Sequence, residues 1–295
     1  MTKTAFIAIV GCPNVGKSSL LNKMLGQKIA IVSSKPQTTR TKIMGVLTKD
    51  ETQLVFTDTP GYHKPHNKLG EKMYKAVGDS IGGVDACLFV VESKGELKKG
   101  EAELLEKFRS LKVPVILAIN KIDMLSDKEE LLKRIIEFNS LYDFEAIVPV
   151  CAVSGEHIDE LIEEMEKLAF ESPHYFPDDT LTDQPERVLA AEIIREKILR
   201  LMDKEVPHGI AVSIEKMRER DNADILDIDA TIYCERENHK GMVIGKKGAM
   251  LKKISTYARQ DLEDFFQIKV NLKTWVKVKE DWRNREGLIH NFGLD

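Results

Sequence analysis

The sequence predicts two domains in series: an α/β domain on a mostly parallel sheet with helices on both faces, then a smaller α+β domain. Three observations carry this. From residue 1 to about 170, continuous apolar runs alternate with helical stretches, the rhythm of a parallel sheet buried on both sides. The polar, proline-containing stretch Glu171-Ser172-Pro173-His174-Tyr175-Phe176-Pro177-Asp178-Asp179 then interrupts it. Beyond that stretch, apolar and polar residues alternate as in half-buried strands. The boundary is expected near residue 176, giving domains 1–176 and 177–295, and 295 residues suffice for two cores.

Taken in order, residues 6–10 read as a buried strand, followed by Gly11 and by a helix over 19–25 that stops at Gly26. Strand segments are expected at 54–57, 86–91, 115–119 and 146–150, with helices over 98–110, 128–142 and 157–170. In the second domain a helix is expected over 186–202, with Pro185 suited to its first turn. Leu226, Ile228, Ala230 and Ile232 alternate with Asp227, Asp229, Thr231 and Tyr233. Ile268, Val270 and Leu272 alternate with Lys269, Asn271 and Lys273, and a helix over 250–264 lies between these two strands. The second sheet is therefore antiparallel or mixed. No internal repeat or low-complexity tract occurs.

Gly11-Cys12-Pro13-Asn14-Val15-Gly16-Lys17-Ser18 sits between the first strand and helix, where a glycine-rich phosphate loop belongs. Its backbone N–H groups can converge on phosphate oxygens at the positive helix end, which Ser19 continues. Lys17 is expected to reach the β- and γ-phosphates and the Ser18 hydroxyl to ligate Mg²⁺. A glycine turn before an ordinary helix is the plainer alternative, and the strand–loop–helix setting argues against it.

Asp58-Thr59-Pro60-Gly61 follows the strand at 54–57. Asp58 is expected to hold Mg²⁺ through a water and the Gly61 N–H to meet the γ-phosphate; a surface turn is the alternative. Thr38, Thr39 and Thr41 lie in the polar loop Lys35-Pro36-Gln37-Thr38-Thr39-Arg40-Thr41. One of them should complete the metal shell when a γ-phosphate is present. Thr39 is the choice, with Thr38 as alternate. This loop and the one after Gly61 would be two switch segments.

Asn120-Lys121-Ile122-Asp123 ends the strand at 115–119, the end at which open α/β sheets bind ligands. Guanine presents N1–H and an N2 amino group, which the Asp123 carboxylate can accept together. Adenine would leave a buried Asp123 unpaired, at a cost of about 1–3 kcal/mol or more. Asn120 should support the loop and the O6/N7 edge, and the Lys121 stem can lie over the base. Cys151-Ala152 occupies a further loop of this site. Together these stretches predict binding of GTP and GDP with Mg²⁺, and hydrolysis in which Lys17, Thr39 and Gly61 act on the phosphates. Tyr62 stands where several GTPases have a water-orienting glutamine. Arg40 is expected to be a solvated loop charge rather than an arginine finger. Slow turnover stimulated by an ion or a binding partner is the expectation.

In the second domain, Val243-Ile244-Gly245-Lys246-Lys247-Gly248 precedes the expected helix. A KH domain clamps single-stranded nucleic-acid backbone with such a Gly-x-x-Gly loop. Lys240, Lys246, Lys247, Lys252, Lys253 and Arg259 form a run containing no Asp or Glu. A solvated helix face is the plainer reading of such a run, and the loop inside it favours nucleic-acid binding. Ile244 and Ile254 are expected to line a base groove. Trp275, Trp282, Arg283 and Arg285 are candidates for stacking on bases, although the core is the expected place of Trp275.

A net charge of −4 argues against indiscriminate nucleic-acid binding by the whole surface, and DNA is not an expected partner. Cys12, Cys87, Cys151 and Cys234 lack metal-like spacing and read as reduced thiols of a cytoplasmic protein. The chain enters a core strand almost at once, so no signal peptide is expected. No apolar run approaches the ~20 residues of a membrane span.

The chain resembles the Era family of bacterial GTPases over nearly its whole length. The resemblance rests on the phosphate loop, Gln37-Thr38-Thr39-Arg40, Asp58 to Gly61, and Asp183-Gln184-Pro185-Glu186-Arg187. It rests also on Ala191-Glu192-Ile193-Ile194-Arg195-Glu196-Lys197, Glu205-Val206-Pro207 and the Val243 to Gly248 loop. It implies a P-loop GTPase domain followed by a type-2 KH domain that binds the 3′ end of small-subunit ribosomal RNA, and a role in small ribosomal subunit assembly. It implies a cytoplasmic protein able to associate peripherally with the inner membrane. Asn14 matches an asparagine that ligates a monovalent cation in related potassium-activated GTPases, making K⁺ a candidate cofactor. Cys151 departs from the usual serine, and the resemblance places the Ala152 N–H at O6. Relatives usually carry an apolar residue at Tyr62. Two other readings compete with an RNA-controlling GTPase switch: a structural RNA-binding factor with negligible turnover, and a membrane-associated cell-division GTPase.

Overall fold

The apolar runs become strands whose alternate side chains serve two separate cores. The structure, a computed structural model, describes residues 1–203 and 205–294. Two units are present. Met1–Ala30, Thr39–Pro65 and Lys72–Asp183 form the first; Ile31–Thr38, His66–Glu71 and the chain from Gln184 onward form the second.

The elements run β1 (Lys3–Val10), α1 (Lys17–Leu25), β2 (Ile43–Lys49), β3 (Thr52–Asp58), α2 (Lys68–Ile81), β4 (Ala86–Glu92) and α3 (Lys99–Leu111). They continue with β5 (Val115–Asn120), α4 (Lys128–Leu141), β6 (Ala146–Val150), α5 (Ile158–Glu166) and β7 (Phe170–Glu171). The sheet order is β2-β3-β1-β4-β5-β6, parallel except for the antiparallel edge strand β2, with β7 antiparallel to the start of β1. Ile7 and Ile9 of β1 join Leu88, Val90, Ile116 and Ala118 in one core. Ala8 and Val10 join Phe89, Val91, Leu117 and Ile119 in the other, under Phe108 and Phe138. Fully burying such side chains contributes about 1.5–3 kcal/mol each. Both faces being covered, these strands read as unbroken apolar runs.

Two local differences from expectation have simple causes. The helix expected over 157–170 stops at Glu166, because its buried set Ile158, Leu161, Ile162 and Met165 ends there and Phe170 turns to pair with Thr4. The chain leaves the first unit after Asp183, beyond residue 176. Gln53 accepts the N–H groups of Tyr175 and Phe176 at 2.9 and 3.1 Å, and the Val46 N–H donates to Leu181 at 2.9 Å.

The second unit adds α6 (Glu186–Leu201), β8 (Ile210–Arg220), β9 (Ala223–Cys234), α7 (Glu237–Ile244), α8 (Ala249–Phe266), β10 (Lys269–Val278) and α9 (Glu286–Asn291). Its sheet is mixed, in the order β10-β9-β8, with β9 parallel to β10 and antiparallel to β8. Ile194 and Ile198 of α6 pack with Ile228, Ile232, Ile254 and Leu262 in its core. β8 escapes a period-two reading because its register shifts between Ile214 and Lys216; α2, α7 and α9 are likewise additions to the expected elements.

All four cysteines are buried and unpaired. Among the described residues, no helix is long and apolar enough to cross a membrane.

Candidate nucleotide and nucleic-acid sites

The phosphate loop links the C-terminal end of β1 to α1, whose N-terminus carries no side-chain cap. Its first N–H groups therefore remain available to an anion. Gly16 has φ 99°, and a Cβ there would lie 2.2 Å from Asn120 Nδ2, so glycine is required both for the turn and for the close approach. Lys17 is buried, and its ammonium donates to the Gly11 and Cys12 carbonyls at 3.2 and 3.1 Å. Burial depresses the Lys17 pKa against the opposing pull of Asp58 and pushes the Cys12 thiol up to about 11.

Ser18, Thr39 and Asp58 converge beside Lys17. Ser18 Oγ donates to Asp58 Oδ2 at 2.6 Å and lies 2.8 Å from Thr39 Oγ1. Thr38, the alternate, instead hydrogen-bonds Ser33 and donates to the Lys35 carbonyl at 2.6 Å. Asp58 is buried, and its Oδ1 meets no hydrogen-bond donor in good geometry. Burial pushes its carboxyl up to about 6 against the pull of Lys17 and the two hydroxyls. A buried carboxylate oxygen short of partners beside two hydroxyls is a donor set suited to a hard divalent cation.

The loop after Asp58 lies over the phosphate loop: Thr59 Oγ1 donates to Ile9 at 2.8 Å and the Tyr62 N–H to Gly11 at 3.0 Å. The Tyr62 ring turns inward, its hydroxyl 2.7 Å from that of Tyr74, with Lys107 5.0 Å above the ring. Tyr62 is thus a core residue of this loop. Arg40 is also buried, at 4% exposure, and not the solvated loop charge expected from its polar neighbours.

Asn120 fastens three loops. Its Nδ2 donates to Val15 at 2.9 Å, and its Oδ1 accepts the N–H groups of Lys121 at 2.8 Å and Ala152 at 3.1 Å. The Ala152 N–H expected at O6 is directed to Asn120 here. Lys121 donates to the Asn14 carbonyl at 2.6 Å and to Glu92. Asp123 is exposed and accepts the Cys151 thiol at 3.1 Å, so the sulfur performs an orienting contact that a serine hydroxyl could also make. Glu92 is a site neighbour that motif reading misses; its signal is only an acidic residue ending the apolar run of β4.

In the second unit, α7 ends at Gly245, whose φ is 71° and where a Cβ would lie 2.7 Å from that of Met250. Lys246 and Lys247 project from the resulting tight loop and are exposed, as are Lys252 and Lys253 on the first turns of α8. The other two cations of the run have carboxylate partners: Lys240 lies 3.7 Å from Glu237 and Arg259 2.8 Å from Glu263. Four exposed lysines thus gather at the N-terminal, positive end of an 18-residue helix.

Three expectations here are corrected. Ile254 is fully buried in the core and does not line a groove, whereas Ile244 is half-buried. Trp282 is fully buried, donating its indole N–H to Gly209 at 2.9 Å, and Arg283 pairs with Glu235; neither is a stacking platform. Trp275 is 46% exposed, because it shares the outward parity of Lys269, Asn271, Lys273 and Lys277 on β10.

Fold and site define a P-loop GTPase joined to a KH module. A family profile described as a 50S ribosome-binding GTPase matches residues 6–121, and one described as a KH domain matches residues 205–283. The GTPase Era of Clostridioides difficile is 51% identical over 295 residues, covering 100% of this chain and 99% of that one. That of Clostridium kluyveri is 49% identical over 293 residues, covering 99% of each. A crystal structure of Aquifex aeolicus Era bound to GDP and AlF4⁻ superposes with a TM-score of 0.96 at 40% identity, covering 99% of both chains. An Era structure in complex with MgGDPNP and nucleotides 1506–1542 of 16S ribosomal RNA gives the same score and identity, covering 100% of this chain and 99% of that one. The chain belongs to the Era family of GTPases.

Proposed function

We propose that this GTPase binds the 3′ end of small-subunit ribosomal RNA through its KH module and assists small ribosomal subunit assembly in the cytoplasm, with GTP and GDP as the switching ligands. The convergence of Ser18, Thr39 and Asp58 beside Lys17 is the observation that carries the switch. The first unit, which the chain leaves after Asp183, would bind the nucleotide, and the part from Gln184 onward would bind the RNA. Lys17 and the N–H groups of residues 11–19 would hold the phosphates, and Gly61 would sense the γ-phosphate. Ser18, Thr39 and Asp58 would hold Mg²⁺, which neutralises charge on the phosphate oxygens during transfer. Asp123 would select guanine, with Asn120, Lys121, Cys151 and Ala152 shaping its slot. The Gly245-Lys246-Lys247-Gly248 loop, Ile244, Lys252 and Lys253 would grip the RNA backbone.

Turnover is slow without help, because Tyr62 faces the core and orients no water. Asn14 would help hold a K⁺ ion that supplies part of the missing positive charge. Multiple-turnover hydrolysis measured in K⁺ against Na⁺, with and without 16S ribosomal RNA, tests this reading. Stimulation by both is expected, and fast basal hydrolysis indifferent to both contradicts it.

A further inference from the structure

The carboxylate of Glu92 has no place in the motifs that define the nucleotide site, yet it lies against them. Glu92 ends β4, and its backbone pairs with Asn120 of β5. Its Oε1 accepts the Lys121 ammonium and its Oε2 accepts Lys98 at 2.6 Å. The next residue, Ser93, donates its hydroxyl to the Lys121 carbonyl at 2.7 Å and its N–H to the Asn120 carbonyl at 2.8 Å. Lys121 itself sits at φ 67°. Both ends of this lysine are therefore fixed by consecutive residues of one neighbouring strand end. The ammonium is further tied to the Asn14 carbonyl of the phosphate loop at 2.6 Å.

We propose that Glu92 is a positioning residue that holds the Lys121 stem as a preformed shelf for the guanine base. The proposal rests on the nucleotide-site reading above. A lysine stem has many rotamers, and immobilising it before binding removes an ordering cost that the ligand would otherwise meet. The Glu92 carboxylate hydrogen-bonds Lys121 and Lys98 and none of Lys17, Ser18, Thr39 or Gly61, so its loss changes how long nucleotide stays and not the rate of phosphoryl transfer once GTP is bound. Lys98 shares the carboxylate and keeps Glu92 from following Lys121 toward the base.

The test is release of a fluorescent GDP analogue from the full chain, measured by rapid mixing for wild type, Glu92→Gln, Lys121→Met and the double variant. Glu92→Gln is expected to release the analogue about tenfold faster, the upper end of the ordering cost of one immobilised long side chain. Single-turnover hydrolysis of bound GTP should stay within about twofold of wild type. In the Lys121→Met background, Glu92→Gln should add nothing, since the group it positions is gone. Unchanged release in Glu92→Gln overturns the proposal. So does an equal acceleration in the Lys121→Met background, which would assign Glu92 a general structural role. Failure of wild type to bind the analogue would instead sink the nucleotide reading on which the proposal stands.

Discussion

Asn120 and Val15, 105 positions apart, are joined by a 2.9 Å hydrogen bond from the Asn120 amide to the Val15 carbonyl. This bond ties the base-reading loop to the phosphate loop. Asn120→Ala strands the Val15 carbonyl and the Ala152 N–H in a buried place. A loss of about 2–3 kcal/mol is expected, read as a lower denaturant midpoint for the first unit. An unchanged midpoint would show that the clasp is not needed.

Asp123 is offered as the guanine discriminator because its carboxylate accepts two donors on one edge. Asp123→Asn replaces one acceptor oxygen by a donor. GTP affinity should fall by a hundredfold or more, on the order of 3 kcal/mol, while xanthosine triphosphate, with an oxygen in place of the amino group, should bind better than to wild type. Competition binding with the two nucleotides measures this. A parallel loss for both would assign Asp123 a structural part only.

The two tryptophans separate core from surface in the second unit. Trp282→Ala should cost about 3–5 kcal/mol, as large buried aromatics do, with the indole's bond to Gly209 lost as well. Trp275→Ala should stay within about 0.5 kcal/mol. Thermal melting of both variants checks the contrast, and reversed effects would refute the assignment of sides.

The sequence made the first sheet legible because strands covered on both faces leave unbroken apolar runs, as at Leu88 to Val91 and Ile116 to Ile119. It made the phosphate and base loops legible because their backbone geometry demands glycine and asparagine at fixed spacing. β8 was hidden by its bulge and charged second half, and Glu92 by the lack of any motif around it. Trp275 could have been placed correctly. Continuing the alternation of Val270 and Leu272 against Lys269, Asn271 and Lys273 puts it outward, and only its apolar bulk argued otherwise. Trp282 follows no periodic element, so its burial depends on tertiary contacts with Gly209 and Phe292.

Lys246 and Lys247 carry charge that no carboxylate answers among the described residues' ion pairs. Replacing both by alanine should weaken single-stranded RNA binding for every sequence. The slope of log affinity against log salt should drop by about 1.4, at about 0.7 per phosphate contact on single strands. Binding titrations across ionic strength measure it, and loss confined to one RNA sequence would contradict a backbone grip.

Asp227 joins the three strands of the second sheet, accepting Arg220 at 2.7 and 2.9 Å and Asn271 at 2.6 Å. These partners, Arg220 first and Asn271 second, hold its carboxyl well below the usual carboxylate range. A depressed carboxyl stabilises the folded state above its unfolded pKa of about 3.9 and loses that contribution as pH falls further. Asp227→Asn should therefore narrow the stability gap to wild type on acidification below about pH 4. A gap constant from pH 7 to pH 3 would show that the pairing contributes nothing.

The central claim is a guanine-specific triphosphate pocket, and calorimetric titration of the whole chain with GDP, GTP, ADP and ATP in the presence of Mg²⁺ tests it most directly. Saturable binding of both guanine nucleotides with no measurable heat from either adenine nucleotide is the predicted result. Equal binding of ATP, or no binding of any of the four, would contradict it.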